Sequence, residues 1–566
     1  MPNVPGVAPG APDARGVLAR LRRGSSTLRS RLRAPGPPAP ADAAGERAAA
    51  ERMAEWCRSA ARGDWAAFEK RLAWDGLDAA AAARALGPGG APADASPAWL
   101  ATFRDAYGTT PAELAAAFDA AGPPRGDRAC RPAEPLPFEE LLLPLVVRAR
   151  ARLAERAGAD AHALLGDGAH AALERALLER LTRICARALY GAFTVYRTVA
   201  PRPGLAAMLA PASSAALYAS FTGAMRRGRL LDFFGEYSVA ARLSATVAAL
   251  WVDAVEEFLR RLHADLPSLA ATFAGGGALG PVVEIDAGLS DPHDGGRAVL
   301  IPRFACGTRV VYKPRPIDLE ADFGELVEWL NARSGPALAL TRLQLLRRDT
   351  HGWIEFAAHA PCESPEGVAR FYHRCGALLA VAYALNGTDF HLENLIARGE
   401  HPALIDMEAL LAHRFDLTAR LPGREVGAAA AARQALEDSV VRVHMLPSLK
   451  VGDDGTTVET GGLAGARGAA EPVEVCYWRD VNTDGMRLAR RTIVARQDGR
   501  NLPELGGERV DASAYVADVA AGFAEAYRLL AAGRGALTAP DGIVARMRHR
   551  RVRFILRHTN LYATAI

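Results

Sequence analysis

The stretch Asn386–Leu410, NGTDFHLENLIARGEHPALIDMEAL, decides the fold expected of this chain. Asp389 follows the turn-prone Asn386-Gly387-Thr388, and Asn394 comes five residues later, across a loop. Pro402 then opens Ala403-Leu404-Ile405, whose apolar character predicts a short buried strand. The strand delivers Asp406 and Glu408, twelve and fourteen residues past Asn394. A D-x-x-x-x-N loop followed by a strand and an acidic residue is an arrangement used for phosphoryl transfer. Mg²⁺ is a hard ion that takes one or two carboxylates and fills its other positions with phosphate oxygens and water. Asn394 and Asp406 carry oxygens suited to it, and Asp389 is suited to orient or deprotonate a substrate hydroxyl.

Upstream, Val310-Val311-Tyr312-Lys313 predicts a strand ending in a lysine. Among 68 basic residues the chain has only the lysines Lys70, Lys313 and Lys450, so this one draws notice. A compact ammonium is not interchangeable with arginine where it meets ATP phosphates. Pro314 and Pro316 stop the strand. Leu319–Leu330 then predicts an amphipathic helix with Phe323, Leu326, Val327 and Leu330 on one face. In kinases a strand lysine pairs with a helix glutamate; Glu325 or Glu328 is the candidate here, with Glu325 preferred.

Further strands are expected at Val282–Ile285, Ala298–Phe304, Leu338–Arg347 and Gly352–Phe356, and a helix at Phe371–Leu385. Between the first two strands, Gly295 and Gly296 mark a turn within Asp291–Arg297. Small sheet lobe, helix, catalytic loop and metal strand follow in the order of a kinase-like fold. The expected class is α+β: a kinase-like catalytic core behind a large helical amino-terminal region. Four parts are expected: a disordered Pro/Gly-rich basic tail (1–45), a helical scaffold (46–270), a small antiparallel β lobe binding ATP phosphates (271–357) and a larger lobe (358–566). Glu139–Ala157, Ala169–Leu189 and Ser238–Ala264 carry apolar residues at helical spacing, and the run AGGGALG within 271–280 marks the change to strands.

Composition excludes several classes. A net charge of +4 over 566 residues implies no nucleic-acid partner. No signal peptide and no run of bilayer-spanning length is evident in the sequence. Seven cysteines scattered singly suggest reduced thiols in the cytoplasm rather than a disulfide framework.

With these residues in hand, the chain resembles the dehydratase region of class II lanthipeptide synthetases, the LanM-type enzymes. The phrases DPHDGGRAV, VVYKPRPIDLEADFGELVEWLN, GTDFHLENLIA, LIDMEAL, VNTDGMRL, NLPELGG and VRFILRHTNLYA carry the resemblance, from about residue 280 onward. It implies a lipid-kinase-type core that phosphorylates Ser and Thr of a ribosomal precursor peptide (leader and core) with ATP and Mg²⁺. The phosphate is then eliminated to give dehydroalanine and dehydrobutyrine. By resemblance, Asp291, His293 and Lys313 would contact ATP, and Asp389 and His391 would serve phosphorylation. Asn394 and Asp406 would hold Mg²⁺, with Glu408 a further candidate. Arg553 and Thr559 match the family's elimination residues, and Arg557 is another candidate for phosphate contact.

Full-length members add a zinc-dependent LanC-like cyclase domain, which would begin where this sequence ends. No CxxC is present, and His359/Cys362 and His373/Cys375 are isolated pairs. The expectation is a dehydratase alone, without zinc, with a separate LanC-like cyclase as a partner. The alternatives are a peptide or small-molecule kinase without elimination, and a non-catalytic module assisting a cyclase.

Overall fold

Leucine and alanine recurring at three- and four-residue intervals make the amino-terminal part of the chain helical. The computed structural model describes residues 14–27, 31–32, 43–87, 97–199, 214–288, 290–414, 427–451, 457–465, 472–494 and 499–554. Two units divide the chain: Met1–Ala264 with Pro281–Arg297 and Trp478–Ala489, and Asp265–Gly280 with Ala298–Tyr477 and Arg490–Ile566.

In the first unit, α1 (Ala14–Gly24) buries Val17 and Leu21, so the expected disordered tail contains a packed helix. Its apolar positions four apart outweigh the surrounding Arg-rich composition. The helix α2 (Glu139–Ala157) buries Leu142, Val146, Ala149 and Leu153 along one stripe. The longer α3 (Asp167–Val199) buries Leu173, Leu177, Leu181, Cys185 and Leu189 at every fourth position. A third long helix, α4 (Ser238–Phe273), starts in this unit and ends in the second. By length and composition it could cross a membrane, contrary to the expectation from sequence. Its Ala241, Ala245, Ala248, Val252, Val255, Leu259 and Leu262 are nevertheless buried in the protein at heptad-like spacing.

Two segments join this unit from positions assigned by sequence to other lobes. The strand β1 (Val282–Asp286) is held because Gly166 N donates to Val282 O, and Val282 N to Leu164 O, both at 2.8 Å. Near Asn482, the asparagine amide accepts from Phe138 N at 2.9 Å and donates to Leu136 O at 3.0 Å.

The second unit begins with β2 (Ile301–Phe304), which turns into β3 (Val310–Lys313). The helix α5 (Asp318–Asn331) follows, then β4 (Leu345–Arg347) and β5 (Gly352–Glu355). The three-stranded sheet has the order β3-β5-β4 and is antiparallel, with Lys313 opposite Gly352. Asp265 fastens the end of α4 to it, accepting from Trp353 Nε1 at 2.8 Å, His351 Nε2 at 2.8 Å and Arg348 Nε at 2.7 Å.

The core of this unit is α6 (Pro365–Ala384), capped by the Ser364 hydroxyl and apolar nearly all round. Against it lies α7 (Val516–Ala532). The approach depends on two glycines. A Cβ on Gly376 would sit 2.0 Å from the Val519 carbonyl oxygen, and one on Gly522 would sit 1.8 Å from that of His373. After α6 come β6 (Leu395–Arg398) and β7 (His401–Leu404), an antiparallel hairpin pairing Leu395 with Leu404. The strand expected at Ala403–Ile405 is therefore longer at its start and ends one residue sooner. Glu400, in the hairpin turn, accepts from Arg370 Nε at 2.8 Å and Arg374 Nη1 at 2.9 Å, which pins the hairpin to α6.

Candidate functional site

Leu385 ends α6, and the chain reverses through Asn386 and Asp389, both in the left-handed region with φ of 53° and 66°. Non-glycine residues are uncommon there, and such strain persists where the surroundings enforce it. Here Thr388 N donates to Ala409 O and Phe390 N to Val443 O, both at 3.1 Å. The Asn394 amide nitrogen reaches back to the Asp389 carbonyl at 2.9 Å. The five-residue spacing thus has a mechanical sense: the asparagine closes the loop that displays the aspartate.

The hairpin then sets Asn394 beside Asp406. Leu395 pairs with Leu404, and Ile405 N donates to Asn394 O at 3.1 Å, so both polar residues emerge at the open end. Lys313 comes to the same place from the end of β3. Its buried ammonium donates to Ile405 O at 2.9 Å and lies 3.2 Å from both Asp406 Oδ1 and Glu320 Oε1.

The helix partner of Lys313 is therefore Glu320, which corrects the expectation of Glu325. Glu325 is paired with Arg546, and Glu328 with Arg342. The physical reason is helical phase. Glu320 lies on the side of the helix with Phe323 and Val327, whereas Glu325 follows Asp318 and Asp322 along another side, the one that Arg546 and Arg550 cover. A carboxylate in register with the apolar face was the available signal.

Arg315 was also not anticipated. Its guanidinium lies 2.8 Å from Glu320 Oε1, 2.9 Å from Asp406 Oδ1 and 3.5 Å from Glu408 Oε2. Burial alone would raise the Asp406 carboxyl, but Lys313 and Arg315 outweigh it and hold the group below the usual carboxylate range.

From the far end of the chain, Arg553 joins this group. Its side chain bonds Glu408 Oε1, and its backbone N donates to Glu408 O at 3.0 Å. Burial disfavours the charged guanidinium, yet Glu408, Asp389 and Asp406 together raise its pKa. Arg553 is held there by the preceding basic segment. Arg550 Nε lies 2.7 Å from Asp322 Oδ2 and its Nη1 3.4 Å from Asp318 Oδ1, while Arg546 meets Glu325. The basic segment rests on an acidic stripe of α5.

The remaining candidates are placed as follows. His391 lies in the loop, with its ring 6.2 Å from that of His444 and its Nδ1 accepting from Glu393 N at 3.4 Å. Asp291 and His293 fall in the first unit, on an exposed turn closed by hydrogen bonds between the His293 and Arg297 backbones. Arg557 and Thr559 lie outside the described residues. Glu408, considered for metal, has its oxygens on Arg553 and Arg315. Among the described residues no group of three or more His, Cys, Asp or Glu is placed to hold a metal ion. All seven cysteines are free thiols.

Three carboxylates, Glu320, Asp406 and Glu408, thus meet three cations, Lys313, Arg315 and Arg553, in one partly open cluster. The chain belongs to the family described as "Domain of unknown function (DUF4135)", whose model matches residues 237–566. Over 197 residues it is 27% identical to the lacticin 481/lactococcin biosynthesis protein LcnDR2 of Lactococcus lactis subsp. lactis. That stretch is 34% of this chain and 21% of the relative, so the chain spans about a fifth of the length of the curated protein it matches.

Proposed function

We propose that this chain acts in lanthipeptide biosynthesis, as an ATP- and Mg²⁺-dependent dehydratase with a kinase-like core. Its substrate would be Ser and Thr of a ribosomal precursor peptide. In the first step Asp389 receives the hydroxyl proton as the oxygen attacks the γ-phosphorus of ATP, and ADP leaves. In the second the α-proton leaves to a base, and phosphate departs with the electrons of the Cβ–O bond. The products are dehydroalanine or dehydrobutyrine, which a separate LanC-like cyclase would consume. Lys313 would meet the ATP phosphates, and His391 would assist the loop. The reaction would take place in the cytoplasm.

The residues fit the proposed ion. Asp406 is held ionised, and the Asn394 amide nitrogen is engaged with Asp389, which leaves its oxygen to face a cation. When bound, Mg²⁺ would neutralise charge on the transferring phosphoryl group.

The observation that carries the reading is the meeting of two residue sets. Lys313 and Asp406 belong to the phosphorylation set and Arg553 to the elimination set, and they are linked through Arg315 and Glu408. Two reactions on one side chain in succession require such sharing. The kinship with a lacticin 481/lactococcin biosynthesis protein supports the same pathway class.

Intact-mass spectrometry of a precursor peptide after incubation with the protein, ATP and Mg²⁺ tests it, with Arg553→Ala in parallel. Loss of one water per modified residue, replaced by phosphate adducts in the variant, is expected. Adducts from the unaltered protein would leave a kinase without elimination, and an unchanged mass would refute catalysis on that peptide.

A further inference from the structure

Arg315 stands between two prolines, so its backbone is restricted before the helix begins. Its guanidinium is shared among Glu320, Asp406 and Glu408, and its side chain keeps 31% of its surface exposed. Asp406 has a second cation, Lys313, which contacts that carboxylate from a buried position. Glu408 divides its two oxygens, Oε1 to Arg553 and Oε2 to Arg315. Two planar donor forks thus flank one carboxylate, each from a segment remote from the other in sequence.

We infer that Arg315 and Arg553 together form a phosphate-binding clamp for the phosphorylated peptide, with Glu408 as the positioning residue that holds both guanidiniums ready. The inference rests on the proposed two-step reaction. Three cations, Lys313, Arg315 and Arg553, face three carboxylates, Glu320, Asp406 and Glu408. A divalent cation on Asp406 would leave Arg315 with one anion fewer. With that cation bound the cluster carries two positive charges in excess; a phosphate dianion balances them, and its oxygens match the bidentate geometry of arginine rather than lysine. Glu408 then orients the clamp and is not a metal ligand.

The test uses the full chain and a fluorescent peptide carrying α-methylphosphoserine, which has no α-proton to lose and so stays intact. Affinity is compared with that for the same peptide carrying α-methylserine, by anisotropy in Mg²⁺. The unaltered protein should prefer the phosphorylated form, and Arg315→Gln should reduce that preference about tenfold, as loss of a charge-assisted hydrogen bond would. Binding of the unphosphorylated peptide should be unchanged. Arg315→Lys should recover only part of the preference, and thermal melting of both variants checks that they fold. Glu408→Gln should weaken the preference while leaving the Mg²⁺ concentration needed for ATP binding unaltered.

Preserved phosphopeptide preference in Arg315→Gln, with weakened ATP binding instead, would overturn the clamp while leaving dehydration intact. A many-fold rise in the Mg²⁺ requirement of Glu408→Gln would make it a metal ligand and likewise overturn the assignment. If the unaltered protein neither dehydrates its precursor nor prefers the phosphorylated peptide, the dehydratase reading fails and takes the clamp with it.

Discussion

Each unit contains an arginine–carboxylate network, and the two are finished differently. In the first, Glu174 is 1% exposed and takes Arg128 at 2.6 Å and Arg150 at 2.7 Å, while Arg150 also meets Asp127 at 2.8 Å. Each of these two anions has its guanidinium, and Asp127, like Glu174, is nearly closed off at 6% exposed. In the second, Asp406 and Glu408 stay 30% and 23% exposed, although three cations surround them. The same chemistry makes a joint with buried anions in one place and a cradle with part-exposed anions in the other. Exposure of the carboxylates is what separates them, and only the second pair can be reached from solvent.

The contrast can be broken most sharply at the cradle. Lys313→Ala or Asp406→Asn should lower the rate of phosphopeptide formation by about 1,000-fold, the scale of removing one preorganised charge from a reacting site. Melting temperature should shift little for Asp406→Asn and fall for Lys313→Ala, which takes a buried partner from Glu320. The reverse is expected of Glu174→Gln: a loss of about 3 kcal/mol in urea denaturation, because two arginines lose a buried partner. Its rate per folded molecule should stay unchanged, and a fall in that rate would erase the distinction between joint and cradle.

A neutral contact gives a reference between them. Gly376→Ala or Gly522→Ala forces a methyl into a carbonyl, and a cost of about 1–3 kcal/mol is expected from overpacking. The smallest effect concerns acid. The bond from Arg370 is the chief cause holding the Glu400 carboxyl down, at about 2. A carboxyl lowered on folding stabilises above its unfolded value and loses that contribution as pH falls through the folded one. Unfolding curves of wild type and Glu400→Gln should therefore differ above pH of about 4.5 and converge toward pH of about 2. Parallel curves throughout would mean the hairpin turn does not depend on this charge.

The sequence made parts of this legible and hid others for definable reasons. Helix periodicity located α2 with its bounds and α5 within a residue at each end, because burial repeats at fixed intervals. Local spacing gathered Asp389, Asn394 and Asp406, since a loop and a hairpin bring near neighbours together. Glu320 escaped because a glutamate on an apolar face is ambiguous until its partner is known. Arg315 escaped because nothing in Lys313-Pro314-Arg315-Pro316 indicates which carboxylates will face it. The assignment of Pro281–Arg297 to the first unit rests on hydrogen bonds to Leu164 and Gly166, contacts over a separation no local pattern encodes. Thr559 lies outside the described residues.

The basic segment resting on α5 has a graded fastening. Arg546 and Glu325 are 40% and 46% exposed, whereas Asp322, the anchor of Arg550, is 2% exposed. Dissolved ions shorten the reach of exposed charges, to about 3 Å at molar salt, and act far less on buried ones. Rising ionic strength should therefore loosen the outer fastening first and leave Arg550 seated until much later. On the proposed chemistry, salt becomes a valve on the end product: concentrated brine would let phosphorylated peptide build up, and dilution would drain it into the dehydrated form.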